Sequence, residues 1–219
     1  TKNPSWASWK YDVPTPTETW KDGHSYFIQA RCRDEASNWS DPGAIGRNFS
    51  YDVSDPSSQI TSFSDGAEIN YLSTISGTSS DSKAGVEKVE ILITEDPYGT
   101  PQYWDGSIFQ PGETWKETAA SDGDGFGETS EDWEYDISTS AWTNGNLYKV
   151  QTRAYDDAGN DESIGTGKEF TFDDEEPIST ITLPVNGNTY SNLPNIEGTA
   201  EDYVTSVSTV EISIQRNPP

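Results

Sequence analysis

A glycine-rich stretch near the middle of the chain carries acids at a spacing that suits calcium binding. Asp122, Asp124 and Glu128 follow one another two and four residues apart, with glycines between them. Ca²⁺ takes about six to eight oxygen ligands, which flexible acidic loops can supply. Phe126 stands at the fifth place of the loop, where Asp or Asn is expected, and Trp133 stands at the twelfth, where Glu is expected. The stretch therefore matches only the beginning of a calcium loop.

Aromatic side chains around a tight turn form a second candidate site. Tyr103, Trp104 and Trp115 lie close in sequence to the turn Asp105-Gly106. If their rings are exposed, they could stack on sugars, as in carbohydrate-binding modules. Trp and Tyr also bury large areas and could instead fill the core of a thin sandwich that is poor in Leu and Ile. The sequence leaves both alternatives open, and the exposure of Trp104 and Trp115 decides between them.

Residues for nucleophilic or metal-assisted catalysis are sparse. Paired carboxylates could hydrolyse glycosides, but with 38 Asp and Glu in the chain close pairs arise by chance. His24 has no Ser or Cys partner at a plausible spacing, and Cys32, between Arg31 and Arg33, is interpreted as a small packing residue. No phosphate-binding loop and no zinc spacing occurs. The sequence thus predicts a protein that is not an enzyme.

The charge balance excludes several classes of partner. The 219 residues include 13 Lys and Arg against 38 Asp and Glu, a formal net charge of −25. Such a chain repels polyanions, so we expect no nucleic-acid binding. No apolar run approaches the ~20 residues that a membrane-spanning helix needs, so we expect no membrane insertion. Low hydrophobicity is typical of disordered chains, but an aromatic content of 12% argues for a packed core.

The chain repeats itself internally. Residues 49–93 recur at 170–214 with a constant offset of 121, and residues 20–38 recur at 142–160 with an offset of 122. A gap-free register of this length indicates a tandem repeat. Its phase predicts the C-terminal half of a unit at 1–55, a complete unit at 56–177 and the N-terminal half of a unit at 178–219.

Apolar and polar residues alternate with the period of half-buried β-strands. Tyr148, Val150 and Thr152 alternate with Lys149 and Gln151, for example. Strands are predicted near 59–63, 72–78, 86–95, 132–138, 147–155 and 167–173, with a hairpin at 102–109 and a long loop at 110–131. About seven short strands in some 120 residues predict an all-β fold, an antiparallel Greek-key β-sandwich. Its predicted core includes Val89, Ile91, Trp133, Tyr148, Val150 and Phe170.

Short motifs follow one another in a characteristic order. I-x-G-T-x-x-D begins at Ile75 and V-x-x-V-E-I-x-I at Val86, while Y-x-V-x-x-R-A-x-D-x-A-G-N occupies 148–160 and F-x-F-D ends at Asp173. In this order they resemble the bacterial Ig-like repeats of large cell-surface and adhesin proteins. The resemblance implies tandem Ig-like sandwiches in an extracellular spacer or adhesive stalk. Ser37 stands where the motif has its Gly, so the turn of the first half unit is expected to be looser.

Acids are also predicted to meet where consecutive units join. In an Ig-like sandwich, the linker that enters a unit meets the loops after its second and sixth strands, and each of these three segments is acidic. We expect calcium at such junctions, although acids of this kind could merely solvate turns. The predicted ligands are Asp52, Asp55, Asp81, Asp156, Asp157 and Asn160 at the first junction, and Asp173, Asp174 and Asp202 at the second.

The expected function is mechanical. The sequence predicts a non-catalytic structural repeat of an extracellular or cell-surface stalk or filament. Its expected partners are copies of itself or neighbouring Ig-like repeats, head to tail, with residues 178–219 of one copy packing on residues 1–55 of the next. The alternative is an adhesin or carbohydrate-binding module that holds surface glycans with exposed aromatic residues.

Overall fold

A computed structural model describes residues 8–41 and 46–216, and nearly all of their regular structure is β. The parts of the predicted half units at 1–7, 42–45 and 217–219 lie outside the described residues. Before the central unit come α1 (Pro16–Thr19), β1 (His24–Ile28) and β2 (Arg47–Tyr51). The first strands of the central unit are β3 (Ser57–Ile60), β4 (Ala67–Ile69), β5 (Thr74–Ser80), β6 (Val86–Glu95), β7 (Gln102–Trp104) and β8 (Phe109–Gln110). The later elements are β9 (Lys116–Glu117), β10 (Ala119–Ala120), β11 (Ser130–Asp136), a 3-10 helix at Thr139–Ala141, β12 (Leu147–Asp156) and β13 (Lys168–Phe172), then β14 (Ile178–Leu183) and β15 (Glu197–Glu201).

Two sheets enclose one core in the central unit. The smaller sheet has the strand order β10-β11-β5-β3, and the larger has the order β4-β13-β12-β6-β7-β8, with β9 beside β6. The pairings within the unit are antiparallel, except that β13 pairs parallel with the short strand β4. The pairs β5–β11 and β6–β12 join strands that are far apart in sequence. The predicted all-β sandwich is therefore confirmed.

The core lies where the alternation of the strands places it. Side chains of one strand face point inward from both sheets, and they form a single apolar cluster. Trp142 caps this cluster with its ring edge-on to Tyr148, the centroids being 4.8 Å apart. The six predicted core residues are all at most 1% exposed: Val89, Ile91, Trp133, Tyr148, Val150 and Phe170.

The stretch 110–131, predicted to be a loop, contributes two short edge strands. Lys116 lies opposite Ile91 in β6, and Ala120 lies opposite Trp133 in β11. Each short strand pairs with backbone that would otherwise lack a neighbour on that side: β11 would be the outer strand of the smaller sheet, and β7 pairs with β6 only at Thr94 and Glu95. Even a polar, glycine-rich segment therefore pairs there. This part of the prediction was wrong.

Gly77 lies where strand backbone and a buried ring leave no room for a side chain. A Cβ atom at Gly77 would lie 1.9 Å from the backbone oxygen of Gln59 and 2.3 Å from the ring of Trp133. Neither neighbour can move freely, because one is strand backbone and the other is a fully buried ring. We expect Gly77→Ala to lower the free energy of unfolding by about 1–3 kcal/mol through overpacking, as measured by denaturant titration.

Gly165 provides the matched control. No atom lies within 4 Å of a Cβ placed there, so Gly165→Ala should change the stability by only a few tenths of a kcal/mol. Equal losses in the two variants would contradict the packing described for β5.

The N-terminal half repeats the geometry of the central unit. In the central unit, the ring centroids of Trp142 and Tyr148 are 4.8 Å apart and those of Tyr148 and Phe170 are 5.3 Å apart. The corresponding distances in the half unit are 4.9 and 5.3 Å. The rings that match are Trp20, Tyr26 and Phe49. The sequence repeat is therefore also a repeat of structure.

The C-terminal half repeats the first strand pair. Strands β14 and β15 pair antiparallel with Ile181 opposite Gly198, and β3 and β5 pair with Ile60 opposite Gly77. The two registers differ by the 121 residues of the sequence repeat. Residues 178–201 thus repeat the first strand pair of the central sandwich.

Candidate metal centre

Three buried acids meet where the linker enters the central unit. Asp52 directly follows β2, Asp81 directly follows β5, and Asp156 is the last residue of β12. One carboxylate oxygen of each lies within 4.8 Å of the other two. All three side chains are buried, Asp156 completely. The structure therefore brings together the acids of three segments that the sequence predicted to converge.

Backbone N–H groups fix the first two carboxylates. The N–H groups of Lys83 and Ala84 each donate to Asp81 Oδ1 at 2.7 Å. The Ala84 N–H also donates to Asp52 Oδ2 at 2.9 Å, and the Ser54 N–H donates to Asp52 Oδ1 at 3.0 Å. Ala84 thus joins the linker acid to the loop acid.

The third carboxylate is held by its own turn. Asp156 Oδ1 accepts from the N–H groups of Ala158 and Asn160, at 3.0 and 2.8 Å, and Asp156 Oδ2 accepts from Asn160 Nδ2 at 2.8 Å. Asn160 Nδ2 also reaches the backbone oxygen of Asp52 at 3.5 Å. The D-x-A-G-N motif thus forms a hydrogen-bonded turn, and the turn also places the Asp156 carboxylate against the linker.

One oxygen of this cluster has no partner. Among the side chains that the structure describes, Asp81 Oδ2 is the buried nitrogen or oxygen atom without a hydrogen bond. Leaving a buried charged acceptor unsatisfied costs about 1–3 kcal/mol or more. An unpaired carboxylate oxygen beside two further carboxylates is the arrangement that a bound cation would satisfy.

The negative charges of the three acids repel one another. Burial raises the pKa of Asp52 above its ordinary value, and the neighbouring charge of Asp81 raises it further, against the lowering effect of the Ser54 N–H. Burial alone would also raise the pKa of Asp81, but the backbone N–H groups of Lys83 and Ala84 outweigh it and hold the pKa below its ordinary value. Asp81 therefore keeps its negative charge in a buried place beside another acid.

The donor set fits a hard cation. The three side chains offer only oxygen, which favours Ca²⁺ or Mg²⁺ over the softer metals that His and Cys bind. Oxygens bound to Ca²⁺ at about 2.3–2.6 Å lie at most about 5 Å apart, and the 4.8 Å limit observed here satisfies that condition. Backbone carbonyls and water would complete the usual coordination number.

The other residues predicted at the first junction have different places. Asp55 and Asp157 are exposed, and the Asp157 N–H donates to the backbone oxygen of Gly85 at 3.1 Å. Asn160 positions Asp156 by the hydrogen bonds described above. The buried acid cluster thus contains three of the six residues predicted at the first junction.

The second junction contains a matching pair of acids. Thr205, the counterpart of Ala84 in the repeat, donates its backbone N–H to Asp202 Oδ1 at 2.6 Å and its hydroxyl to Asp173 Oδ2 at 2.7 Å. Asp174 is exposed, and its N–H donates to Asn144 Oδ1 at 3.1 Å. Asp173 and Asp202 therefore stand as Asp52 and Asp81 do, but no third acid among the described residues of the chain joins them.

The acids of the central loop do not form a comparable group. Asp122, Asp124 and Glu128 are exposed, and within the described residues the first junction is the one place where three acids are close enough to share an ion. A hydrogen bond between the side chains of Asp122 and Asp124 raises the pKa of Asp124. Glu131, which is buried, holds the loop instead by accepting from the N–H groups of Gly127 and Glu128 at 3.0 and 2.7 Å.

The aromatic residues do not form an exposed platform. Trp104 is buried in the core, and its indole N–H donates to the Tyr135 hydroxyl at 3.0 Å. Trp115 is half-buried beneath the guanidinium of Arg153, which lies 4.4 Å from its ring centroid, and Tyr103 is half-buried as well. Of the two alternatives for Trp104, burial in the core holds, because strands β7 and β8 turn its ring toward Phe109 inside the sandwich.

Sequence reasoning missed Asp22, which fixes the linker from its N-terminal side. Its carboxylate accepts from the Val53 N–H at 2.9 Å and from the Ser54 hydroxyl at 2.7 Å. The Ser54 hydroxyl and the Val53 N–H are also the leading causes that lower the pKa of Asp22. Asn144 takes the same place at the second junction, where it accepts from Asp174. The matching positions of Asp22 and Asn144 in the repeat are the signal that could have revealed this contact.

Comparison with known proteins assigns no family to this chain. No protein-family model and no curated protein sequence matches the chain. Within the described residues, no helix has both the length and the apolar character needed to cross a membrane. Function is therefore inferred from the three-acid centre and the repeat that contains it.

Proposed function

We propose that the chain is a non-catalytic structural repeat of an extracellular or cell-surface stalk or filament, whose β-sandwich units are stiffened by calcium at their junctions. The observation that supports this most is the position of Asp52. It belongs to the linker, whereas Asp81 follows β5 and Asp156 ends β12 in the unit that comes next. One ion bound to all three would tie the linker to the next unit.

The linker is already held on both sides of this centre. Asp22 of the preceding half unit binds the linker at Val53 and Ser54. Ala84 and Asn160 of the central unit bind Asp52. The junction is therefore a defined contact between two units, as a spacer of fixed geometry requires.

Bound calcium would replace repulsion among the three carboxylates by attraction to the ion. Three buried carboxylates repel one another when no cation is bound, and burial strengthens the repulsion. A bound divalent ion reverses this interaction and makes separation of the linker from the loops unfavourable. We therefore expect a junction that is loose without calcium and rigid with it.

Distances between spin labels on the two sides of the junction test the proposal. Labels at Asn48→Cys and Ser107→Cys, two exposed positions, in a Cys32→Ser background report on the half unit and the central unit. Calcium should narrow the distribution of distances measured by electron paramagnetic resonance. The same labels in an Asp81→Asn chain should show no narrowing. Equal widths with calcium and with chelator would contradict the proposed role.

A further inference from the structure

The C-terminal half exposes residues whose counterparts form the core. Residues 207–216 match β6 of the central unit in the repeat. Three of their apolar side chains are 59%, 59% and 78% exposed, whereas the counterparts are at most 1% exposed. The exposed residues are Val210, Ile212 and Ile214, and the buried counterparts are Val89, Ile91 and Ile93.

The N-terminal half exposes the complementary side. Ile28 is 44% exposed, although its counterpart Val150 is fully buried. Cys32, expected to be a packing residue, is exposed, whereas its counterpart Ala154 is fully buried. The two halves thus leave uncovered the core-facing sides that the neighbouring strands β6 and β12 bury in the central unit.

Both halves also lose the strands that would make this contact. Strand β12 continues to Asp156 because β6 pairs with it, but β1 ends at Ile28. Residues 206–216 form no strand, although β6 is ten residues long. A strand of this length persists only beside a strand that pairs with it.

We propose that the missing partner is a second copy of this chain: residues 28–34 of one copy pair antiparallel with residues 207–214 of another, and together the two halves close a second sandwich. This inference rests on the proposed function and names the partner of the repeat. The register follows from the central unit, where Val150 lies opposite Ile93 and Ala154 opposite Val89. The predicted pairs are Ile28 with Ile214, Ala30 with Ile212, and Cys32 with Val210.

Charges support the same register. In the central unit, Arg153 lies opposite Glu90, and its guanidinium is 2.7 Å from the Glu90 carboxylate. The repeat places Arg31 and Glu211 at these two positions. Pairing two copies in this register therefore brings a positive and a negative side chain together at the centre of the new strand pair.

The same pairing completes the second junction. Asp34 is the counterpart of Asp156, and its two oxygens accept from the Asn38 N–H at 2.8 Å and from Asn38 Nδ2 at 2.9 Å, as Asp156 accepts from Asn160. The turn keeps both of these hydrogen bonds, contrary to the expected looser turn, because Ser37 adopts the left-handed conformation with φ of 78°. The second copy thus supplies Asp34 to the pair Asp173 and Asp202, which otherwise lacks its third acid.

Such a contact joins different surfaces of identical chains. It is heterologous, so each copy that docks presents a new free half and the assembly continues as an open filament. Along this filament, sandwiches that lie within one copy would alternate with sandwiches that two copies form together.

Charge reversal in the full chain tests the proposal. We expect the wild-type chain to associate with increasing concentration in sedimentation velocity. Arg31→Glu or Glu211→Arg alone should weaken association at least about tenfold, because like charges then face each other. A mixture of the two variants should restore it, since each provides the charge that the other needs. Misfolding of a variant would not be repaired by mixing.

Three outcomes would overturn the inference. They are a chain that stays monomeric at all concentrations, association that neither variant weakens, and single variants that the mixture fails to rescue. Asp34→Asn should reduce the calcium dependence of association. It should leave the label distances at the first junction unchanged in dilute monomer, so failure of the docking and failure of the proposed function are distinguishable.

Discussion

Val150→Asp is expected to lower the melting temperature of the central sandwich strongly. Val150 is fully buried in the middle of β12, opposite Ile93 in β6 and Lys168 in β13. A carboxylate there faces the apolar cluster with no partner, which costs roughly 3–5 kcal/mol. This is a large part of the about 5–15 kcal/mol that stabilises a single domain, so the variant should melt far below the wild type. Circular dichroism at increasing temperature measures the effect.

Gln151→Asp is the matched control for this substitution. Gln151 is the next residue of the same strand, only half-buried, on the opposite face. It introduces the same side chain into the same element without entering the core, so the melting temperature should fall far less. An unchanged melting temperature in Val150→Asp would refute the assignment of the core.

Calcium is expected to raise the melting temperature of the wild-type chain by about 5–10 °C when its concentration is about 100 times the dissociation constant. The ion binds carboxylates that only the folded chain gathers, so it stabilises the folded state by mass action, by about 2.7 kcal/mol at that concentration. Differential scanning calorimetry with calcium and with chelator measures the shift. Magnesium at the same concentration should give a smaller shift, because it requires near-octahedral geometry and keeps several waters.

The sequence predicted the meeting of Asp52, Asp81 and Asp156 because topology determines it. A sandwich places the entering linker beside two loops at the same pole, and motifs at fixed spacing show where these segments lie. The sequence alone could not distinguish the three buried acids from their exposed neighbours Asp55 and Asp157. That choice depends on which backbone N–H groups turn toward each carboxylate, and this is a property of the folded loops.

The position of Trp104 could not be predicted for a similar reason. Alternation assigns residues to one of two strand faces, but in a three-residue strand such as β7 it does not decide which face meets the core. The pairing of Trp104 with Phe109 and its bond to Tyr135 decide it in the structure. Polar edge strands such as β9 escape prediction because their partner β6, rather than their own residues, supports them.

The two half units show most clearly what the sequence pattern alone cannot predict. Residues 207–216 match β6 in the repeat and have the same alternation. The structure shows no strand there, because the strand depends on a partner that this chain does not place beside it. Local pattern is thus sufficient for a strand only where the fold supplies its neighbour.

Comparison of the wild-type chain with Asp81→Asn in calorimetry, each with calcium and with chelator, tests the junction centre most directly. Asn keeps an oxygen that can accept from the N–H groups of Lys83 and Ala84 but removes the negative charge, so without calcium the variant should melt no lower than the wild type. Calcium should raise the melting temperature of the wild type and of an Asp122→Asn control, whose residue is exposed, and should leave that of Asp81→Asn unchanged. Equal calcium shifts in the wild type and Asp81→Asn, or no shift in either, would contradict a cation site at Asp52, Asp81 and Asp156.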